Sequence, residues 1–177
     1  MKKVILTFGL IAGAISASLM VISMVFADRI GFDRGYLVGY TTIVLSSLVI
    51  FFGVKSYRDN ISDGTVTFGR AFLVGLGIAV ISCVCYVVAW EILYYNFMPD
   101  FMDKYAAYQV AKLKASGVDA ATVQKQLDGI ARMKALYANP LYNSAMTFLE
   151  PFPVALLVTL ASAVILRRSK PRVPQSV

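Results

Sequence analysis

Four apolar runs, each long enough to cross a lipid bilayer, constrain this chain more than any other feature. They cover residues 4–27, 36–54, 71–95 and 144–166. A transmembrane α-helix needs about 20 predominantly apolar residues, and inside lipid only helices or closed barrels satisfy every backbone polar group. The runs therefore predict an all-α polytopic membrane protein, a four-helix transmembrane bundle forming a single membrane domain over residues 1–177.

The composition excludes an ordinary water-soluble domain. Of the 177 residues, 58% are hydrophobic and 15% are charged, and the mean hydropathy is +0.69. A net charge of +7 in so apolar a chain indicates basic residues that flank a bilayer rather than a nucleic-acid partner. The chain has no histidine, and Cys83 and Cys85 lie within an apolar run as packing residues. We therefore predict no catalytic residues, no metal site, no cofactor and no enzyme activity.

The positions of the basic residues predict the orientation. Lysine and arginine are enriched in the cytoplasmic connections of membrane proteins, and here they precede the first run, separate the second from the third and follow the fourth. Both termini are therefore expected in the cytoplasm, with the first run as an uncleaved signal anchor. A cleaved signal peptide is the alternative, because Val25-Phe26-Ala27 resembles a cleavage site. The basic residues on the predicted cytoplasmic side are Lys2, Lys3, Lys55, Arg58, Arg70, Arg167, Arg168, Lys170 and Arg172.

Three segments lie outside the predicted spans. Residues 96–143 show two helical patterns separated by Ser116-Gly117, with Asp119 as the expected N-cap of the second, and they predict an extracytoplasmic helical hairpin. We expect this hairpin to lie at the interface or against the bundle, and a ligand-binding lid is the alternative. Residues 55–70 form a polar cytoplasmic loop with a turn, and residues 167–177 form a basic cytoplasmic tail that anchors at the membrane surface.

Small residues recur every fourth position in two of the runs. Gly9 and Gly13 do so in the first run, and Ala71 and Gly75 in the third. Such stripes let helix backbones approach closely within a membrane. Packing within one bundle is the favoured interpretation, and a homodimer interface is the alternative.

Two carboxylates inside the apolar runs are the most informative side chains. An ionised carboxylate in hydrocarbon is costly and is usually functional or paired. From the predicted span ends, Glu91 lies about 6 Å and Glu150 about 9 Å inside the same membrane face. Polar residues of the second span approach that face too. The resulting candidate polar cluster consists of Glu91, Glu150, Tyr40, Thr41 and Arg34.

Three interpretations of this cluster remain open. Each carboxylate is paired with an arginine or a hydroxyl group and fixes the helix arrangement, or the two carboxylates share a proton or a cation in a transporter or sensor. Pro151 and Pro153 favour the second interpretation, since they remove backbone donors and free nearby carbonyl groups. An intramembrane hydrolase is the least favoured, because no nucleophile motif accompanies the pair.

The sequence also resembles a known family. The residues that carry the resemblance are Tyr57-Arg58-Asp59, Thr67-Phe68-Gly69-Arg70-Ala71-Phe72, Gly75, Asn139-Pro140, Glu150 and Pro153. With these motifs the chain resembles the bacterial membrane-protein family known as domain of unknown function 4199. The resemblance implies a multi-pass protein of the bacterial inner (cytoplasmic) membrane and no particular activity. It also singles out a candidate motif around the cytoplasmic loop, made of Tyr57, Arg58, Asp59, Phe68 and Gly69.

The expected function is that of a non-enzymatic structural or accessory subunit. Its expected partners are the lipid bilayer and either a second copy of the chain or another inner-membrane protein, with no nucleic acid. The alternative is a small proton- or cation-linked transporter or sensor that uses Glu91 and Glu150.

Overall fold

The computed structural model of the chain describes residues 1–117 and 119–168. The predicted basic tail therefore lies outside the described residues from position 169 onward. Within the described residues, seven α-helices follow one another. They are α1 (Lys2–Val25), α2 (Ala27–Asn60), α3 (Phe68–Asn96), α4 (Phe101–Ala115), α5 (Ala120–Tyr137), α6 (Pro140–Leu149) and α7 (Phe152–Leu166).

Four helical segments are long and apolar enough to span a membrane. They cover Lys2–Val25, Arg29–Asn60, Phe68–Asn96 and Pro140–Leu166, the last of which combines α6 and α7. Each overlaps one of the four apolar runs. The all-α class is thus confirmed for the described residues, together with four helices of membrane-spanning length and composition.

The second of these segments extends beyond the predicted span at both ends. α2 begins at Ala27, is interrupted at Gly31 (φ 71°, ψ 158°), and continues to Asn60. A backbone with that φ is easily adopted only by glycine, so Gly31 forms a kink that divides α2 into two helical parts. Hydropathy marks only the apolar part of a helix, which explains why the polar ends of α2 were not part of the predicted span.

The connection between α2 and α3 is consequently short. It contains residues 61–67 and turns at Asp63 and Gly64, both with positive φ. Val66 and Arg168 then form an isolated antiparallel bridge. The Val66 amide donates to the Arg168 carbonyl with an N to O distance of 3.1 Å, and the Arg168 amide donates to the Val66 carbonyl at 2.9 Å. This bridge joins the connection to the C-terminal end of α7.

Side chains cap the starts of three helices. The Thr67 hydroxyl accepts a hydrogen bond from the Arg70 amide at the start of α3, and Asn139 caps α6, which begins at Pro140. Asp119 caps α5, as predicted, by accepting a hydrogen bond from the Thr122 amide at 3.0 Å. Hydrogen bonds from the Thr122 hydroxyl and amide hold the pKa of Asp119 below its ordinary value.

α3 packs against α1, α2 and α7. Glycines make the closest of these approaches possible: a Cβ atom at Gly13 would lie 2.6 Å from Cβ of Cys85, and one at Gly9 would lie 2.8 Å from Cβ of Ile81. On the other side of α3, a Cβ atom at Gly75 would lie 2.8 Å from Thr159. These glycines therefore pack against other helices of the same chain.

Most of the buried hydrophobic residues form two clusters along the length of α3. One surrounds the N-terminal half of α3 and includes Val54, Val74 and Ile78. The other lies towards the C-terminal end of α3, where α4 and α5 join the packing through residues such as Met102. The candidate site lies at this second end.

Candidate functional site

A cavity of about 580 Å³ lies where the C-terminal half of α3 meets α1, α2, α4, α5 and α6. Its lining is dominated by thioether and aromatic side chains. The methionines that line it are Met20, Met24, Met98, Met102, Met133 and Met146, so every methionine of the chain except Met1 lies here. The aromatic residues that line it are Phe32, Tyr36, Tyr40, Tyr86, Trp90, Phe101, Tyr105 and Tyr137.

α4 and α5 form one wall of this cavity and are held by several contacts. The ring of Phe32, directly after the Gly31 interruption, lies 5.0 Å from the Tyr108 ring of α4. The Lys112 ammonium of α4 donates to Asp33 Oδ1 at 2.6 Å, and this hydrogen bond raises the pKa of Lys112 above its ordinary value. Lys134 of α5 forms an ion pair with Asp103 of α4. The start of α2 and the α4–α5 pair are therefore linked.

Glu150 lines the cavity at the break between α6 and α7. The Tyr86 hydroxyl of α3 donates to Glu150 Oε2 at 3.3 Å. The break follows from the sequence, because Pro151 and Pro153 have no backbone N–H and cannot continue the hydrogen-bond ladder of α6. Within residues 1–117 and 119–168, Glu150 forms no ion pair.

Glu91 does not line this cavity and does not meet Glu150. It accepts a hydrogen bond from the Ser144 hydroxyl at 2.8 Å. Since Tyr86 is the partner of Glu150, the two carboxylates are separated along α3 by about 8 Å, at about 1.5 Å per residue. The expected similar depth depended on a fourth span that begins at Ser144, whereas the helix begins at Pro140. That earlier start places Glu150 about 6 Å further from the helix end.

The other members of the predicted polar cluster are also divided. Tyr40 lines the cavity, with its ring 4.7 Å from the Tyr36 ring. The Thr41 hydroxyl instead donates to the Leu37 carbonyl of its own helix at 2.8 Å, and Thr41 is exposed. Arg34 is exposed and does not line the cavity. Of the predicted cluster, the structure therefore brings Glu150 and Tyr40 into one site.

A buried hydrogen-bond group beside the cavity was not predicted. Trp90 Nε1 donates to Asn143 Oδ1 at 2.9 Å, and the Thr147 hydroxyl donates to the same oxygen at 3.3 Å. Asn143 is fully buried, and its Nδ2 has no hydrogen-bond partner among residues 1–117 and 119–168. The sequence offered one signal for this group, since Asn143 lies directly before the fourth apolar run. The predicted span began at Ser144, whereas α6 begins at Pro140 and includes Asn143 among its buried residues.

The candidate motif around the α2–α3 connection lies at the opposite end of α3. Tyr57 is buried in the hydrophobic cluster there, and Arg58 Nε donates to Asp59 Oδ1 at 2.6 Å. Phe68 stacks on Phe72, and Gly69 faces open space. These residues occupy the helix ends, and the connection itself lines a second cavity of about 540 Å³. The structure does not bring the motif to the Glu150 cavity.

The larger cavity combines an apolar lining with a few polar groups. The described part of the chain contains no group of three or more His, Cys, Asp or Glu side chains that could hold a metal ion. A large apolar lining with a few polar groups is typical of small-molecule sites. The polar groups available to a ligand include the Glu150 carboxylate and the hydroxyls of Tyr40 and Tyr86.

Comparison with known proteins gives one match. A family model described as "Protein of unknown function (DUF4199)" matches residues 7–168. No curated protein and no solved structure matches the chain.

Proposed function

This chain belongs to the family of proteins of unknown function DUF4199, and we propose that it is a non-enzymatic protein of the bacterial inner membrane that binds a small molecule with an apolar body. In this proposal the four long helices form a transmembrane bundle. The α4–α5 pair is the extracytoplasmic hairpin, and both termini lie in the cytoplasm.

The distribution of charge along the molecule supports this orientation. The bridge between Val66 and Arg168 joins the α2–α3 connection to the end of α7, so Arg70 and Arg168 lie at the same end of the molecule. Basic residues favour the cytoplasmic side. The other end carries α4 and α5, in which acidic and basic side chains are interleaved.

The single observation that carries the binding function is the composition of the cavity. It gathers every methionine after Met1 and eight aromatic residues around about 580 Å³. Methionine side chains are flexible and polarisable, and they suit surfaces that accept varied apolar ligands. α4 and α5 cover one side of this cavity.

An accessory-subunit role is the second candidate. It is favoured by apolar side chains at the other end of the molecule, where Ile61 is 54% exposed and Phe68 is 39% exposed beside a polar connection. A second copy of the chain or another inner-membrane protein would cover these side chains. This role requires no ligand in the cavity, so a binding measurement distinguishes it from the first.

Trp90 provides the reporter for that measurement, because it is the single tryptophan of the chain and lines the cavity. The probe is 11-bromoundecanol, an uncharged amphiphile whose bromine quenches tryptophan on contact. It is titrated into the full chain in lipid nanodiscs, and empty nanodiscs measure how much probe the lipid dissolves. We expect saturable quenching of Trp90.

Two glycine variants make the test specific. Gly39 lines the cavity, and a Cβ atom there would meet nothing within 4 Å, so Gly39→Leu fills space without a backbone clash. Gly129 of α5 is equally open but lies outside the cavity, so Gly129→Leu is the matched control. We expect Gly39→Leu to abolish saturable quenching and Gly129→Leu to retain it. Unsaturable quenching that is the same in all three chains would favour the accessory role.

A further inference from the structure

Of the two acidic or basic side chains that line the cavity, one has a counter-ion among the described residues and the other does not. Lys104 and Glu150 are the charged residues that line it. The Lys104 ammonium lies 2.9 Å from the Asp100 carboxylate, so its charge already has a counter-ion. Glu150 forms no ion pair within the described residues. The ionisable group without a counter-ion in this cavity is therefore the Glu150 carboxyl group.

The hydrogen bonding of Glu150 leaves room for a ligand. An ionised carboxylate has about four acceptor positions, and among the described residues Glu150 accepts one hydrogen bond, from the Tyr86 hydroxyl at 3.3 Å. Charge-assisted O–H···O bonds are usually about 2.5–2.7 Å long, so this bond is long. A positive group that entered the cavity would find an acceptor that Tyr86 positions but does not saturate.

The surroundings of Glu150 also favour a cation. Tyr36 and Tyr40 present neighbouring rings, and Trp90 lines the same cavity. Aromatic faces attract ammonium groups. A metal ion is a poorer candidate, since the described residues offer no cluster of three ligating side chains. An organic cation needs no such cluster.

From this geometry we propose that the cavity binds a lipophilic organic cation, whose positive centre pairs with Glu150 and whose apolar body lies among the methionine and aromatic side chains. This inference rests on the proposed function and names the ligand class of the same cavity. The sequence-derived hypothesis of a shared cation needed both carboxylates, whereas this site uses Glu150 without Glu91.

The test compares three probes with the same body and different head groups. These are (11-bromoundecyl)trimethylammonium, 11-bromoundecanol and 11-bromoundecanoate, each titrated against Trp90 fluorescence in nanodiscs with correction for lipid uptake. We expect the cation to bind most tightly and the anion least tightly. Loss of a charge-assisted contact predicts that Glu150→Gln binds the cation about tenfold more weakly and the alcohol with unchanged affinity.

Glu91→Gln is the matched control, because Glu91 pairs with Ser144 outside the cavity, and it should leave the order of the probes unchanged. If the alcohol binds as tightly as the cation, the inference fails while the proposed function stands. If no probe gives saturable quenching, both fail. A cation preference that survives Glu150→Gln also overturns the inference. If Glu150→Gln does not fold, the order of the three probes on the unchanged chain decides.

Discussion

Asn143 shows how single polar residues determine the structure around the cavity. It is fully buried, and its side-chain oxygen accepts hydrogen bonds from Trp90 and Thr147. A buried amide without partners is costly, so the Trp90 donor of α3 fixes the register between α3 and α6, while Thr147 donates from α6 itself. That register in turn places Tyr86 opposite Glu150.

Removal of the indole donor should therefore lower stability. Trp90→Phe leaves the Asn143 oxygen with the weaker contact to Thr147, and we expect the free energy of unfolding to fall by about 1–3 kcal/mol. Denaturation in mixed micelles of dodecyl sulfate and dodecyl maltoside measures it.

Tyr95→Phe provides the comparison on the same helix, because Tyr95 is 45% exposed. A change there should stay within about 0.5 kcal/mol. Equal effects of the two substitutions would show that the Trp90–Asn143 hydrogen bond does not stabilise the fold.

At the level of helices, α3 is organised by glycines that admit close neighbours. Gly13 of α1 lies against Cys85, and Gly75 of α3 lies against Thr159 of α7. Inside a membrane, helices associate through such close packing, because lipid chains are as apolar as leucine. Other glycines, such as Gly39, face open space. The structure thus divides the glycines into two classes with opposite expected behaviour.

A matched pair of alanine substitutions tests that division. Gly13→Ala puts a methyl group where 2.6 Å separates it from Cys85 Cβ, and such overpacking should cost about 1–3 kcal/mol. Gly39→Ala meets nothing within 4 Å, and alanine should stabilise a helix there by up to about 1 kcal/mol. Thermal unfolding of the purified chain in detergent compares them. A destabilisation of Gly39→Ala as large as that of Gly13→Ala would contradict the packing described for α1 and α3.

The sequence predicted the parts of the fold that depend on local pattern. Apolar run length gave four spanning-length helices, and the acceptor side chain of Asp119 gave the start of α5. The early start of α6 at Pro140 was not predicted, because hydropathy follows the apolar residues and not the Asn139 cap. The contact between Tyr86 and Glu150 was not predicted either, since it depends on the register of two helices distant in sequence.

The molecule as a whole has two dissimilar ends. At one end, the bridge between Val66 and Arg168 closes a basic region around the short α2–α3 connection. At the other end, α4 and α5 cover an apolar cavity that contains Glu150. The candidate motif and the candidate polar site therefore occupy opposite ends of α3. We therefore expect a ligand to bind at the end that carries α4, α5 and Glu150.

Photolabelling tests most directly whether that cavity is where a ligand binds. The probe is an alkyltrimethylammonium whose chain carries a benzophenone, which reacts readily with C–H bonds beside thioether sulfur. It is irradiated with the full chain in nanodiscs, and peptide mass spectrometry locates the adducts. We predict adducts at Met102, Met133 and Met146 that disappear in Gly39→Leu. Adducts confined to exposed positions such as Leu157 and Ile165, each 67% exposed, and unchanged by Gly39→Leu would contradict the proposed site.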